Sequence, residues 1–382
     1  MSTIDEVLLD DAEGLAAADP SGVLRALAGA GAQVRRALEL TEESGVHQWV
    51  REDRPRAIVV AARGGAAVVA DALAALVGRA GPVPISHRSG APLPAWVGPL
   101  DMVVSVSLSG RAAAPVALAS EAGRRGALLL TIGAAGSPLA EVSAHGRGVH
   151  VPLPEPGREA TSAPTSRTAL WSLLTPAFLA FGRLGLLNVN VEEIEAMADL
   201  LDAEAEACRP SSEAFVNPAK SLALELDGTM PVLLGADEIS SAAAHRAASV
   251  LSRTARVPAV HGGLPDDAGD VVATFGGPFA RRSRDGGVDD LFLDPMAGDE
   301  VSTHLRLVLF GPQGGRTSSA VRRIAEEAGV RVSDVTGDAG SDLALFAQLV
   351  ARMDFAAAYL ALATGYDPAV SPHVADLREA LG

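Results

Sequence analysis

The sequence predicts an α/β protein built from two tandem domains, each a doubly wound parallel sheet flanked by helices. Three observations carry that expectation. Short, continuously apolar runs rich in β-branched residues alternate with longer helical stretches, the pattern of strands buried on both faces. The same rhythm returns in the second half of the chain at a fixed offset. The length of 382 residues suits about two domains, and 48% hydrophobic residues are enough to fill two cores.

Residues 1–40 read as an N-terminal helical segment, with apolar positions at helical spacing from Val23 to Leu40. Residues 41–190 form the first α/β domain. Its first strand is AIVVAA, Ala57 to Ala62, which runs into Arg63-Gly64-Gly65 and the helix AAVVADALAALVG. VPIS from Val83, DMVVSVS from Asp101 and GALLLTIG from Gly126 supply three more strands. Residues 191–382 form the second domain together with the C-terminal helices. There MPVLLGA, the helix SSAAAHRAASVLSRTA and a strand VPAV from Val257 repeat the opening of the first domain. Ala57 to Val83 and Pro231 to Val257 are both 26 residues apart, and the two copies are offset by 174, which reads as an internal duplication. DVVATFG, LRLVLFG and VRVSDV are read as the later strands of this domain.

Composition excludes several classes of function. A net charge of −16 leaves no basic stripe for a nucleic-acid backbone or an anionic membrane surface. The single cysteine, Cys208, rules out an intramolecular disulfide and reads as a core residue; the eight histidines show no metal-ligand spacing. No cofactor and no metal are expected. The acidic start MSTIDEVLLDDAEG is unlike a secretory signal, so a cytoplasmic location is expected. ALWSLLTPAFLAFGRLGLL, Ala169 to Leu187, approaches the length of a membrane span, but Pro176 and Arg183 favour a buried helix. The chain has thirty arginines and one lysine, Lys220. No G-x-S-x-G elbow or G-x-G-x-x-G turn is present, and GPQGGRTSS lacks the spacing and lysine of a phosphate-binding P-loop.

One stretch does point to a ligand. SVSLSGRAAAP, Ser105 to Pro115, takes the third strand through Ser107, Ser109 and Gly110 into a helix. In such sheets ligands sit beyond the carboxyl ends of the strands, where helix N-termini offer unpaired N–H groups to anions. Arg63, Gly64 and Gly65 after the first strand, and Arg111 after the third, would add guanidinium groups and close backbone approach. The alternative is that Ser107 and Ser109 only cap the helix. His87, with Arg88 beside it, follows the second strand and would also lie near a ligand there.

The order of these segments resembles the SIS (sugar isomerase) fold, a flavodoxin-like sheet, and specifically the bifunctional phosphoglucose/phosphomannose isomerase family with two such domains. Gly64-Gly65-Ala66 matches that family's Gly-Gly-Ser turn, and SLSGRAAAP its Ser-Tyr-Ser-Gly-Asn-Thr-Glu-Glu-Thr phosphate loop. Ser166-Arg167 resembles its Pro-Arg, Arg-Leu-Gly-Leu-Leu stands verbatim from Arg183, and Asn217-Pro218-Ala219-Lys220 and Gly365-Tyr366-Asp367-Pro368 match two later motifs. The resemblance implies a small-molecule sugar-phosphate ligand held at Gly64, Gly65, Ser107, Ser109, Gly110, Arg111 and Arg167, and a homodimer. It also implies aldose–ketose isomerisation through an enediol.

The chemistry of the family is where the sequence departs. The catalytic glutamate should stand seven residues after Arg246, and Arg253 holds that place; the place of the ring-opening histidine falls on Gly269. Arginine has no acceptor capacity for a proton. The Thr-Glu-Glu-Thr of the loop is Ala112-Ala113-Ala114-Pro115, and the lysine of the last helix is Arg378. Either the shuttle has moved, with His261, Glu238, Asp266 and Asp267 as candidates, or there is none and the protein is a sugar-phosphate sensor, a regulatory partner or a purely structural one.

Overall fold

The structure, a computed structural model, describes residues 4–78, 81–153, 167–280, 303–337 and 340–381. The chain divides into two compact units. One comprises Arg25–Glu206 with Ser341–Ala347; the other comprises Met1–Leu24, Ala207–Gly340 and Gln348–Gly382.

The first unit holds a five-stranded, wholly parallel sheet: β1 Ile58–Ala61, β2 Ile85–Arg88, β3 Met102–Ser107, β4 Leu128–Gly133 and β5 Val149–Pro152, in the order β2-β1-β3-β4-β5. β1 and β3 are buried at every position. That is why they read as unbroken apolar runs rather than as alternating ones. Val59, Ala61, Val103 and Leu129 pack beneath Leu118, Ala119 and Ala122 of the helix Ala113–Arg125 and Leu139 of the helix Pro138–His145. On the other face lies the helix Leu170–Arg183, buried from Leu170 to Phe181. The apolar stretch from Ala169 is thus a core helix despite its Pro176.

The second unit repeats the plan with four parallel strands: β6 Thr229–Gly235, β7 Val260–Gly263, β8 His304–Phe310 and β9 Arg331–Val335, in the order β7-β6-β8-β9. Its order matches β2-β1-β3-β4 of the first sheet. Val232, Leu234, Leu307 and Leu309 anchor its core with Val321, Ala325, Val271 and Phe275.

Three sequence expectations need correction. Asp270–Gly276, expected as a strand, lies largely in the helix Ala268–Thr274, because Val271 and Phe275, one helical turn apart, both insert into the core. The strand expected from Val257 begins at Val260, since the preceding helix ends late, with Arg256 in the left-handed region at φ 60°. β5 is absent from the expected strands, being a four-residue edge strand with His150 and Pro152 in it. Among the described residues, one helix, Asp342–Ala363, has the length and apolarity of a membrane span, and 83% of its most apolar window is buried inside the protein.

Candidate functional site

The carboxyl ends of β1, β2 and β3 lie side by side in the first sheet. Ala61 is in register with Arg88 of β2 and with Ser105 of β3, so Arg63, two residues on in extended conformation, stands level with Ser107 one strand away. At strand spacing that is about 5 Å between neighbouring backbones. The Ala62 N–H donates to the Arg88 carbonyl at 3.1 Å, and His87 Nε2 lies 2.9 Å from the Ala62 carbonyl, which makes that nitrogen the protonated one. His87 therefore braces the end of β1. Gly64 then turns the chain at φ +62° with open space around it, and the following helical turn begins without a side-chain cap.

The turn after β3 is held from within. The Gly110 N–H donates to the Ser107 carbonyl at 2.9 Å, the Arg111 N–H to Ser109 Oγ at 3.3 Å and the Ala112 N–H to Ser107 Oγ at 3.4 Å. Gly110 has φ +62°, and a Cβ there would stand 2.0 Å from Ser137 Oγ, so glycine is required by both conformation and space. The Leu139 N–H closes onto the Gly110 carbonyl at 3.0 Å, tying this turn to the next one. Ser107 is buried and Ser109 exposed. Both hydroxyls brace the turn as acceptors, and each keeps its O–H free to donate to an anion.

The helix Ala113–Arg125 that follows has no capping side chain at Ala112 and no acidic residue in its first turn. Its first amides are left with the positive end of the helix dipole. Beneath the neighbouring turn, Thr131 Oγ1 and His150 Nδ1 are 2.8 Å apart. Burial pushes the His150 imidazole below its usual range, against the opposing pull of the backbone at Ala134 and Gly133. Arg167 precedes the helix Leu170–Arg183 and is half-buried; Ser166 lies outside the described residues.

The corresponding end of the second sheet is built differently. At the 174-residue offset, Arg63 becomes Asp237. Asp237 caps the helix Glu238–Val250, accepting from the Ser240 N–H at 2.8 Å and from Ser240 Oγ at 2.7 Å. Its carboxylate occupies the place an external anion would take. Glu238 opens that helix, and Asp267 accepts from the Gly263 N–H at 2.7 Å. Asp266 is exposed in the same turn. A cleft of about 220 Å³ lies beside the loop Gly311–Gly314, with Ser318, Ser319 and the ion pair Arg322–Asp334 in its wall.

The residues singled out in the second half lie on one helix, on an edge strand and in the turn after that strand. Arg253 lies in a single π-type turn, Leu251–Ala255, that ends the helix begun by Glu238, and its carbonyl accepts from Ser371 Oγ at 2.9 Å. Fifteen residues separate it from Glu238, about 20 Å along a helix. His261 on the edge strand β7 is exposed and stacks on His245 of the same helix, ring centroids 4.2 Å apart. Arg253, His261 and Glu238 are therefore at three levels of the second sheet. No sequence signal announced the π turn, although such insertions are frequent at functional sites.

Two matched motifs are framework. Asn217 caps the helix Pro218–Leu226 by accepting from the Ala219 and Lys220 N–H groups. Lys220, the sole lysine, is fully buried, donates to the carbonyls of Pro210 and Ser212 at 2.7 Å each, and lies over the Tyr359 ring. Burial pushes its ammonium down and the Tyr359 phenol up. Tyr359 donates to the carbonyl of Cys208, the buried free cysteine. Gly365-Tyr366-Asp367-Pro368 closes the long helix, with the Tyr366 N–H reaching back to the Ala361 carbonyl.

Comparison with known proteins agrees with this architecture. Residues 215–381 match the family model for the bacterial phospho-glucose isomerase C-terminal SIS domain. A bifunctional phosphoglucose/phosphomannose isomerase of Caldicellulosiruptor bescii is 24% identical over 227 residues, 59% of this chain and 64% of the relative's length. Among solved structures, a glucosamine-6-phosphate deaminase of Thermotoga maritima superposes with a TM-score of 0.61 at 13% identity, covering 92% of this chain and 98% of the other. A protein named as a phosphosugar isomerase from Silicibacter pomeroyi superposes with a TM-score of 0.57 at 19% identity, covering 91% and 99%. Residues 215–381 are thus similar to the C-terminal SIS domain of bacterial phosphoglucose isomerases, and the architecture described above is a fold shared with these solved structures.

Proposed function

We propose that the protein binds a sugar phosphate, with the phosphate on the turn Ser107–Arg111 and against Gly64 and Gly65, and does not carry out aldose–ketose isomerisation at an enzymatic rate. The observation that supports the binding half is the uncapped helix N-terminus at Ala112, preceded by two hydroxyls and a glycine that only this turn geometry requires. Support for the other half comes from Arg253 standing in the place that the family resemblance gives to the glutamate base. A guanidinium is protonated at every working pH and cannot take a proton from C2 of a sugar. The reading is therefore of a sensor or regulatory protein on an isomerase framework.

Ser109→Glu tests the binding half. The exposed hydroxyl would become a carboxylate at the mouth of the turn, and like charge would repel the phosphate. Wild-type protein is expected to gain thermal stability with millimolar glucose 6-phosphate or fructose 6-phosphate, through binding to the folded state alone. The variant is expected to lose that gain. An unchanged ligand-induced shift in the variant would remove this turn from the site. A homodimer working in the cytoplasm is part of the same reading, and light scattering that gave a monomer mass at micromolar concentration would contradict the dimer.

A further inference from the structure

In a chain with 47 acidic and 31 basic residues, an arginine has carboxylates in excess around it. Many of the described arginines use them or use carbonyls. Arg35 pairs with Asp199 and Asp202, Arg56 with Asp101, Arg183 with Glu42 and Arg246 with Asp354; Arg125 pairs with Glu121 and donates to the carbonyls of Leu93, Pro94 and Val97. Arg63, Arg88 and Arg111 do neither, as is true of Arg25, Arg51, Arg54, Arg147, Arg316 and Arg331, but these three alone of that group share the carboxyl end of one sheet. All three are exposed, and the side chain of none makes a hydrogen bond or ion pair to a described residue.

These three stand together. Arg88 ends β2, Arg63 follows β1 and Arg111 follows β3, and those strands are adjacent in the sheet. Ala61 is in register with Arg88 and Ser105, and Arg63, two residues beyond it in extended conformation, falls on the same face as these by strand alternation. That face is the one covered by the helix Ala113–Arg125, since Ser105 Oγ donates to the Pro115 carbonyl at 2.9 Å. No Asp or Glu lies in Arg63–Ala67, Arg88–Gly90 or Ser107–Ala114. The second sheet provides an internal contrast, because the position of Arg63 is there an aspartate that satisfies its own helix. Three guanidinium groups and the uncapped start of the helix Ala113–Arg125 supply more positive charge than one phosphate needs. Each guanidinium can hold an anion with two parallel N–H donors.

We propose that the ligand of the first sheet carries two anionic groups. A phosphate sits on the turn Ser107–Arg111, and a second phosphate or a carboxylate is held by Arg63 and Arg88. The ligand class is thus a sugar bisphosphate or a phosphorylated sugar acid, an assignment that rests on the sugar-phosphate reading above and narrows it.

Titration calorimetry at one fixed ionic strength tests this with three probes: glucose 6-phosphate, fructose 1,6-bisphosphate and 6-phosphogluconate. At least one doubly anionic probe is expected to bind about tenfold or more tightly than glucose 6-phosphate, and which one does so identifies the second group as phosphate or carboxylate. The double variant Arg63→Gln/Arg88→Gln is expected to erase that advantage, lowering affinity for the doubly anionic probe about tenfold more than affinity for glucose 6-phosphate. Arg124→Gln, at the far end of the helix Ala113–Arg125, controls for net charge and is expected to change neither. Equal affinity for all three probes, an advantage that survives the double variant, or one that falls equally in Arg124→Gln would overturn the proposal while leaving the sugar-phosphate reading in place. Binding of none of the three would overturn both.

Discussion

Asp354→Ala is expected to cost about 3–5 kcal/mol of folding stability, the range found when one partner of a buried ion pair is removed. Asp354 lies in the helix Asp342–Ala363 and accepts from Arg246 Nη2 at 2.9 Å and Nε at 3.3 Å. The two side chains are 6% and 3% exposed. Burial pushes the Asp354 carboxyl up, and the guanidinium beside it pulls it down. Removing the carboxylate leaves Arg246 charged and desolvated with both of its bonds to Asp354 gone, at a position that is 4% exposed. Replacing both residues by apolar ones of similar volume, Arg246→Met with Asp354→Leu, is expected to recover most of the loss, because the desolvation cost disappears with the charges. Urea denaturation of the three variants measures this. A loss below about 1 kcal/mol for Asp354→Ala would mean that Arg246 is far better solvated than its burial indicates.

The same pair shows where sequence reading stops. β1, β3, β4, β6 and β8 are legible because strands buried on both faces must be apolar throughout, and a central strand of a covered parallel sheet has no other solution. The edge strands carry less information. β5 contains His150 and Pro152, and β7 has Val260 and His261 exposed, so neither has the pattern of a core strand. Asp270–Gly276 misled because a short, largely apolar segment suits strand and helix equally, and only its packing against β6 and β8 decides.

At the site, the turns were legible from their residue types. Gly64, Gly110, Ser107 and Ser109 stand where backbone geometry demands small or hydroxylated residues, and that demand is local. The pairing of charges is not local. Arg246 and Asp354 are 108 residues apart, and nothing in the thirty arginines marks which of them face a carboxylate and which do not. Nor could spacing alone reveal that Arg253 lies in a π turn with a carbonyl engaged by Ser371. The insertion changes which direction a counted position faces, while the count itself stays the same.

The central proposal is a sugar-phosphate site without a proton shuttle, and proton exchange at the sugar tests it most directly. In D₂O, forming the enediol requires glucose 6-phosphate to give its C2 proton to a base that exchanges with solvent, so proton NMR follows both C2 exchange and ketose formation in one sample. Acid–base transfer by a positioned side chain is typically worth 10²- to 10⁴-fold in rate, and Arg253 can supply none of it. Wild-type protein, at concentrations where the ligand-induced thermal shift is saturated, is therefore expected to leave the C2 proton in place and to form fructose 6-phosphate no faster than buffer does. Arg253→Glu is expected to raise exchange measurably above that background. Rapid C2 exchange or ketose formation by the wild-type protein would contradict the account, and would direct attention to His261, Glu238, Asp266 and Asp267 as the source of the base.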